Sequence, residues 1–262
     1  MAFLSVEHIS KTFPGVRALD DVSVDFEKAS VHALMGENGA GKSTLGKIIA
    51  GVYTPDQGII KIEGQEIKPT DPRIAQGLGI ALVHQELAFC PNMTVAENLL
   101  LGGFPTNAGF MDWGKLREKA RSLLHEIGSD IDVDTPLAQL TTGQEQMVQI
   151  AGAVGVNARI IIFDEPTSSL STNESEHLFE LMARLKARGV AMLYVSHRMD
   201  EIFRVCDTIT ILRDGKHVAT EPIAQTNQAR SCSRRGSRTQ MLQPLLPISK
   251  SLTCRNNWKS PN

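Results

Sequence analysis

A glycine-rich segment directly after an apolar run constrains the fold of this chain more than any other feature. The segment runs from Gly36 to Ser43, and residues 31–35 before it are mostly apolar. Its glycines let the backbone curl so that successive N–H groups converge on phosphate oxygens, and a helix beginning at Lys42 adds the positive end of its dipole. The pattern predicts a strand, a phosphate-binding loop and a helix.

Two side chains in this segment have the chemistry that a nucleoside triphosphate requires. Lys42 supplies a mobile cation for the outer phosphates, and the Ser43 hydroxyl is a ligand for Mg²⁺. A glycine-rich turn without a ligand would show the same spacing. The apolar strand before the segment and the amphipathic helical run after it favour a nucleotide site instead.

A second apolar run ends in two carboxylates. Residues 160–163 are apolar and are followed by Asp164 and Glu165. A run of this kind predicts a buried parallel strand with acids at its carboxyl end, where open α/β sheets bind their ligands. Asp164 would hold the hydration shell of Mg²⁺, and Glu165 would polarise an attacking water. If this run stood alone, an ordinary strand followed by an acidic helix start would be the better interpretation.

The order of the apolar segments indicates one folded α/β domain. From residue 31 onward, strand candidates alternate with helical patterns, which predicts a parallel sheet with right-handed crossovers. Residues 4–9 and 22–26, followed later by residues 58–63, predict an antiparallel sheet beside the phosphate loop. Residues 95–156 are mostly helical in pattern.

A polar motif between the two segments points to a particular family. Residues 140–144 read Leu-Thr-Thr-Gly-Gln and precede a helical run with an apolar face. A helix start rich in hydroxyls and glycine presents free N–H groups to an anion, although by itself it is only a well-capped helix. The motif resembles the signature of ATP-binding cassette (ABC) proteins, normally Leu-Ser-Gly-Gly-Gln, with Thr142 replacing the first glycine.

Four further motifs resemble those of ABC proteins, and all of them occur in the family order. They are Phe13 (the aromatic residue on which adenine stacks), Gln85 (Q-loop), residues 168–171 (D-loop) and His197 (switch histidine). Ser171 stands where the D-loop usually has aspartate. The likeness covers most of residues 3–228.

A narrower likeness connects the chain with sugar importers. Residues 15–22, 32–39 and 95–98 resemble the N-terminal cassette of bacterial monosaccharide importer ATPases of the ribose, xylose and galactose type. This resemblance implies a P-loop NTPase fold with a RecA-like parallel-sheet core and an antiparallel β subdomain. It also implies a helical subdomain at about residues 95–156, within a cassette that spans residues 1–228.

The resemblance further implies how ATP hydrolysis is divided among the residues. The implied catalytic residues are Glu165, His197 and Gln85, and the implied Mg²⁺ ligands are Ser43, Gln85 and Asp164. The implied ATP contacts are Phe13, Gly36, Glu37, Asn38, Gly39, Ala40, Gly41, Lys42, Ser43 and Thr44. The signature residues, which would contact the ATP of a second cassette, are Leu140, Thr141, Thr142, Gly143 and Gln144.

The resemblance also implies several partners. Two cassettes would face head to tail with ATP between them, either as a homodimer or with a missing tandem half. Membrane permease subunits would bind the cassette directly, and a periplasmic sugar-binding protein would act indirectly, with no nucleic acid involved. Because no apolar run approaches the length of a membrane span and no signal peptide opens the sequence, we expect a cytoplasmic protein on the inner face of the plasma membrane.

Other interpretations remain at this stage. Taken singly, His197 is a surface histidine, Phe13 a core residue and Gln85 an exposed polar residue. The chain could also be a truncated, inactive or regulatory nucleotide binder, or a soluble ABC ATPase that works on ribosomes or DNA. Soluble proteins of that kind insert long coiled coils or charged linkers near the helical subdomain, and this sequence has neither.

The composition changes abruptly after residue 228. Seven of the 27 Lys and Arg residues lie in residues 229–262, which contain none of the 29 acids. This segment lacks helical or strand periodicity, which predicts a basic, disordered tail outside the family pattern. Full sugar-importer ATPases resemble two cassettes in tandem, so we expect a frameshift or truncation to explain the change.

Overall fold

The computed structural model describes residues 2–83, 89–107, 109–156 and 158–226. Its strands are β1 (Leu4–Phe13), β2 (Val16–Phe26), β3 (Val31–Met35), β4 (Gln57–Ile62), β5 (Gln65–Ile67), β6 (Ile80–Val83), β7 (Thr106–Asn107), β8 (Phe110–Met111), β9 (Ile160–Asp164), β10 (Ala191–Val195), β11 (Thr208–Arg213) and β12 (Lys216–Pro222). Its α-helices are α1 (Lys42–Ile49), α2 (Pro72–Gly77), α3 (Val95–Leu99), α4 (Trp113–Glu126), α5 (Thr142–Gly155), α6 (Thr172–Ala187) and α7 (Met199–Val205). The predicted basic tail, residues 229–262, lies outside the described residues.

A six-stranded sheet forms the centre of the fold. Its order is β12-β11-β3-β10-β9-β6, and all neighbouring strands are parallel except β11 and β12. Every residue of β3, β9 and β10 is buried, because helices or a second sheet cover both faces. This burial explains why these strands appear in the sequence as continuous apolar runs without alternation.

The two faces of this sheet pack against different layers. In β9, Ile161 and Phe163 face one apolar cluster, which includes buried residues of α5 and α6. Ile160 and Ile162 face a second cluster, which includes α1 and the antiparallel sheet. Alternation along one strand therefore joins both halves of the core. Among the described residues, no helix is both long and apolar enough to cross a bilayer.

The antiparallel sheet has the order β2-β1-β4-β5 and is longer than the sequence predicted. The expected strands covered residues 4–9 and 22–26, whereas β1 and β2 extend until Phe13 pairs with Val16 across a tight hairpin. The extension mixes polar residues with apolar ones, and its pairing shifts register between Ile9 and Lys11 and again between Lys11 and Thr12, so it lacks the regular alternation that predicts a strand. As a result, Phe13 lies at the tip of a hairpin beside the phosphate loop.

The segment from residue 95 to residue 156 contains α3, α4 and α5, which contact one another. The buried side chains of α4 are Leu116, Ala120, Leu123 and Leu124, so one face of that helix packs inward. The short β7–β8 hairpin interrupts the helices, and helical periodicity had not predicted it.

A buried histidine lies in the strand that leads to the phosphate loop. His32 of β3 contacts Thr210 of the neighbouring strand β11, with its Nε2 atom 2.7 Å from the hydroxyl oxygen, and its ring meets Phe26 edge-on. Burial lowers the pKa of His32 from its ordinary value of 6.5 to about 4, and the nearby His217 adds to the shift. The folded protein therefore favours the neutral imidazole.

This shift predicts a loss of stability in mild acid. Since the folded pKa lies below the unfolded one, the unfolded chain binds the extra proton, and stability falls as the pH drops from 6.5 towards 4. The difference between the two pKa values lowers the free energy of unfolding by about 3 kcal/mol once the pH is below 4. Urea unfolding at several pH values should show that His32→Gln flattens this dependence, while the exposed His125→Gln leaves it unchanged. Parallel curves for His32→Gln and the parent chain would contradict the assignment.

Candidate functional site

The phosphate loop connects the carboxyl end of β3 to the first turn of α1. Gly41 occupies the N-cap position of α1 with φ of 96°, a conformation that favours glycine. Leu45, Ile48 and Ile49 bury the opposite face of the helix in the core. The free N–H groups at the start of α1 are thereby held in place at the end of the central sheet.

Lys42 lies beneath this loop and is almost completely buried. Its Nζ atom donates to the carbonyl oxygens of Gly36 and Glu37, each at 3.0 Å, so the ammonium group lies within the curve of the loop. Burial lowers the pKa of Lys42, and the carboxylates of Glu165 and Asp164 oppose that shift. The side chain is thus a desolvated cation that anionic phosphates would stabilise.

The two predicted magnesium ligands that the structure describes lie next to each other. The Ser43 hydroxyl donates to Asp164 Oδ1 at 2.8 Å, and Asp164 is itself buried. Ser43 belongs to the first turn of α1, whereas Asp164 is the last residue of β9, and 121 positions separate them in the chain. A hydroxyl beside a carboxylate is an oxygen donor set of the kind that Mg²⁺ prefers.

Glu165 and His197 form a second polar pair. His197 Nδ1 lies 3.1 Å from Glu165 Oε1, and the histidine is largely exposed. Glu165 has φ of 50°, which is unfavourable for a residue with a side chain, and its N–H donates to the carbonyl of Val195 at 2.9 Å. This backbone conformation occurs at the residue that was predicted to activate water.

A cavity of about 440 Å³ lies above the phosphate loop. It is lined by Phe13, Val16, Ala18, Asn38, Gly39, Gly41, Lys42, Ser43, Thr44 and Glu165. The ring of Phe13 is half-buried and packs edge-on against Tyr53, with centroids 5.2 Å apart. Phe13 therefore presents part of its surface to the cavity instead of belonging wholly to the core.

The signature segment lies at the start of α5 and does not line this cavity. Thr141 is the N-cap residue and forms a reciprocal capping box with Gln144, while Thr141 and Thr142 are exposed. Leu140 packs against the core cluster, and a Cβ atom at Gly143 would lie 2.6 Å from Glu174 Oε1. The exposed helix start is thus separate from the cavity above the phosphate loop.

The D-loop segment ends in a helix cap. Ser171 is the N-cap residue of α6, and its capping box with Glu174 satisfies a backbone donor at each end. Serine caps helices about as well as aspartate does. The departure from the family pattern at this position therefore preserves the local structure.

The structure also shows residues that sequence reasoning missed. Val16 and Ala18 line the cavity. Because they lie two residues apart on β2, they point to the same face of the strand, and this spacing could have indicated that they share a surface. Glu201, a buried acid near the Glu165 and His197 loops, had no sequence signal because burial of a carboxylate depends on the fold. The predicted catalytic and magnesium residue Gln85 lies outside the described residues.

The sequence between residues 19 and 168 matches the family model described as ABC transporter. This chain belongs to the ABC transporter family. The match spans the phosphate loop, the signature segment and the Asp164–Glu165 pair, and the α/β P-loop fold predicted from the sequence is confirmed.

Curated relatives place this ABC transporter chain near sugar importers. It is 54% identical over 229 residues to the arabinose import ATP-binding protein AraG of Rhizobium etli, 52% over 228 residues to that of Yersinia pestis, and 51% over 218 residues to that of Escherichia coli O6:H1. These alignments cover 87%, 87% and 83% of the chain, but 46%, 44% and 43% of the relatives. The chain thus spans about half the length of the curated relatives it matches.

Solved structures of ABC cassettes have the same fold. A nucleotide-free cassette of an ABC transporter superposes with a TM-score of 0.75 at 29% identity and covers 85% of this chain and 92% of its own. A dimeric cassette in a post-hydrolysis state, bound to ADP and Pi, gives a TM-score of 0.74 at 25% identity, covering 84% and 98%.

Two glycines of the phosphate loop provide a matched test of its geometry. Gly39 and Gly41 both have positive φ, but a Cβ atom at Gly39 would meet nothing within 4 Å, whereas one at Gly41 would lie 2.5 Å from the Ala18 carbonyl oxygen. We expect Gly39→Ala to lower the free energy of unfolding by about 1 kcal/mol and Gly41→Ala by about 3 kcal/mol, because only the second adds a backbone clash. Guanidinium unfolding without nucleotide measures both, and equal losses would contradict the close approach of β2 to Gly41.

Proposed function

We propose that this chain is the ATP-binding and ATP-hydrolysing subunit of a monosaccharide importer. One observation carries the proposal: the phosphate loop, the Ser43–Asp164 pair and the Glu165–His197 pair all meet at the same edge of the central sheet. An ATPase needs a loop that binds the triphosphate, ligands that hold the metal ion and a group that activates a water, and these three parts correspond to them. The relatives named as arabinose import proteins supply the transport context.

ATP would bind in the cavity above the phosphate loop. The start of α1 would donate N–H groups to the phosphates, and Lys42 would exchange its two carbonyl contacts for phosphate oxygens. Phe13, supported by Tyr53, would stack on adenine. Because the loop is already folded and Lys42 is already desolvated, little reorganisation would oppose binding.

The residues present fit a magnesium ion, since Ser43 and Asp164 bring a hydroxyl and a carboxylate within 2.8 Å of each other. These two residues, with Gln85 as a third proposed ligand, would hold Mg²⁺ with the nucleotide. When bound, the ion would neutralise negative charge on the phosphates.

Glu165 and His197 would act on the water that attacks the terminal phosphate. Glu165 would accept a proton from that water, since it lines the same cavity as Lys42. His197 would hold the Glu165 side chain through the 3.1 Å contact and lie near the terminal phosphate. Catalysis would come from positioning and charge neutralisation.

A single cassette would not complete the site. The exposed start of α5 bears the signature residues but does not line the chain's own cavity, which is the arrangement needed to contact ATP held by a second cassette. A similar cassette has been solved as a dimer with ADP and Pi. The second cassette would be another copy of this chain or a tandem half.

The remaining partners follow from the importer assignment. Permease subunits would bind the cassette at the cytoplasmic face of the plasma membrane, and a periplasmic binding protein would deliver the sugar. Arabinose is the first sugar to test because the three aligned relatives are named for its import. The truncated, inactive or regulatory nucleotide binder is the outcome to exclude by experiment.

Two substitutions separate ATP binding from hydrolysis. We expect Lys42→Ala to weaken Mg²⁺-ATP binding at least tenfold, because it removes the buried cation, and Glu165→Gln to retain binding within about twofold while turnover falls about 100-fold. Binding is measured by calorimetry, and phosphate release is measured at several protein concentrations. Lys61→Ala on β4, a lysine outside the cavity, is the control.

A rate per chain that rises with concentration would show that two copies form a working sandwich. Binding without turnover in the parent chain would identify a nucleotide binder that needs another cassette or its permease. If both Lys42→Ala and Glu165→Gln bound ATP as the parent chain does, the site assignment would be wrong.

The transport assignment predicts coupling to a permease. When the chain is reconstituted in vesicles with the permease and binding protein of an arabinose importer, arabinose should raise ATP hydrolysis several-fold, because the loaded binding protein would favour the closed cassette pair. Glucose added at the same concentration is the control. Equal rates with and without any monosaccharide would contradict the importer role while leaving the ATPase assignment intact.

A further inference from the structure

A buried carboxylate lies between the two loops that hold the candidate catalytic residues. Glu201 is in the first turn of α7, and its side chain is only 4% exposed. The loop after β9 contains Glu165 and Thr167, and the loop after β10 contains His197. The family motifs assign no role to Glu201, and the proposed catalytic chemistry does not use it.

Glu201 contacts the first loop through Thr167. The Thr167 hydroxyl donates to Glu201 Oε2 at 2.9 Å, and both side chains are buried. Thr167 lies two residues after Glu165, inside a turn in which the Ser168 N–H donates to the Glu165 carbonyl at 3.2 Å. A displacement of Thr167 would therefore be transmitted directly to the backbone that orients Glu165.

Glu201 contacts the second loop on both sides of His197. The Ser196 hydroxyl lies 3.4 Å from Glu201 Oε2, and Arg198 Nη1 lies 2.7 Å from Glu201 Oε1. Ser196 Oγ also accepts the N–H of Arg198 at 3.1 Å, which closes a short turn around the histidine. One carboxylate thus reaches both neighbours of His197.

Tyr194 connects this carboxylate to the rigid core. Its hydroxyl donates to Glu201 Oε2 at 2.7 Å, and its ring is fully buried in β10. Burial raises the pKa of Tyr194, and the charge of Glu201 raises it further, so the phenol remains a donor. Both loops therefore contact Glu201, and Glu201 is hydrogen-bonded to Tyr194 of the central sheet.

The contacts of Glu201 distinguish it from an ordinary helix cap. In the part of the chain that the structure describes, Glu201 has four partners, all reached through their side chains and none through a backbone N–H of α7: Thr167, Tyr194, Ser196 and Arg198. A buried carboxylate is costly unless such donors satisfy it, and once satisfied it rigidifies its surroundings. The network is therefore suited to holding loops in place.

We propose that Glu201 is a positioning residue that clamps the Glu165 loop to the His197 loop for ATP hydrolysis. The clamp keeps His197 Nδ1 at 3.1 Å from Glu165 Oε1. Its catalytic consequence rests on the proposed function, whereas the clamp itself is a property of the folded chain. Because none of the four partners of Glu201 belongs to the phosphate loop, loosening the clamp should lower turnover and leave nucleotide binding unchanged.

Hydrogen exchange tests the clamp without requiring ATP hydrolysis. We expect Glu201→Gln to speed amide exchange at least tenfold in residues 165–170 and 196–198 together, while β3 keeps its protection. Glu176→Gln is the control, because Glu176 is likewise an acid that pairs with an arginine, joins α6 to α7 through Arg204 and contacts neither loop. Faster exchange in only one loop, or equal exchange in both variants, would overturn the clamp.

Steady-state kinetics tests the consequence for catalysis. We expect Glu201→Gln to lower kcat at least tenfold with KM for ATP within twofold, and Glu176→Gln to change neither. In a His197→Ala background, Glu201→Gln should add little further loss, since the pair it positions is already broken. Loosened loops with an unchanged kcat, or fully additive losses, would overturn the positioning role.

A second variant keeps the test informative if Glu201→Gln does not fold. Thr167→Val combined with Ser196→Ala removes a contact to each loop and leaves the carboxylate paired with Tyr194 and Arg198. The same two readouts apply to it. If both loops loosen but the parent chain neither binds nor hydrolyses ATP, the proposed function fails and the clamp is retained.

Discussion

The parallel register of β3, β10 and β9 is the constraint on which the rest of the site depends. Val195 at the end of β10 pairs with Leu34 on one side and with Asp164 on the other. The three strands therefore end at one edge of the sheet, and the loops that follow them meet there. A slip by one residue would turn every buried side chain of a strand to the opposite face and move its loop, so core packing maintains the alignment of the site.

Buried charge is concentrated where the chemistry would occur. Lys42, Asp164 and Glu201 are all almost completely buried, and each has polar partners that offset its desolvation. Such groups contribute little net stability compared with apolar residues of the same volume. Their value lies in preorganisation, because the oxygens and the cation already occupy fixed places before a nucleotide arrives. The positive φ of Glu165 is a further local strain accepted at the same place.

The same architecture explains why the signature segment lies apart from the cavity above the phosphate loop. The phosphate loop and the Glu165–His197 pair lie at the end of the central sheet, while the signature segment starts α5 in a different layer. Its capping box and the close approach of Gly143 to Glu174 hold that helix start rigidly at the surface. The exposed Thr141 and Thr142 at this helix start are placed to contact an anion on another molecule. Thus the fold explains why ATP turnover is proposed as a property of a pair of cassettes.

The sequence by itself determined the local elements whose geometry is set by nearby residues. The glycine spacing of the phosphate loop, the apolar runs of β3 and β9, and the capping signal at Thr141 each specify backbone structure within a few residues. Only the tertiary structure decided that Ser43 meets Asp164 across 121 positions, that β1 and β2 continue to Phe13, and that Glu201 is buried against two loops. These features depend on which segments become neighbours when the sheet assembles, and neither hydrophobic periodicity nor residue type records that pairing.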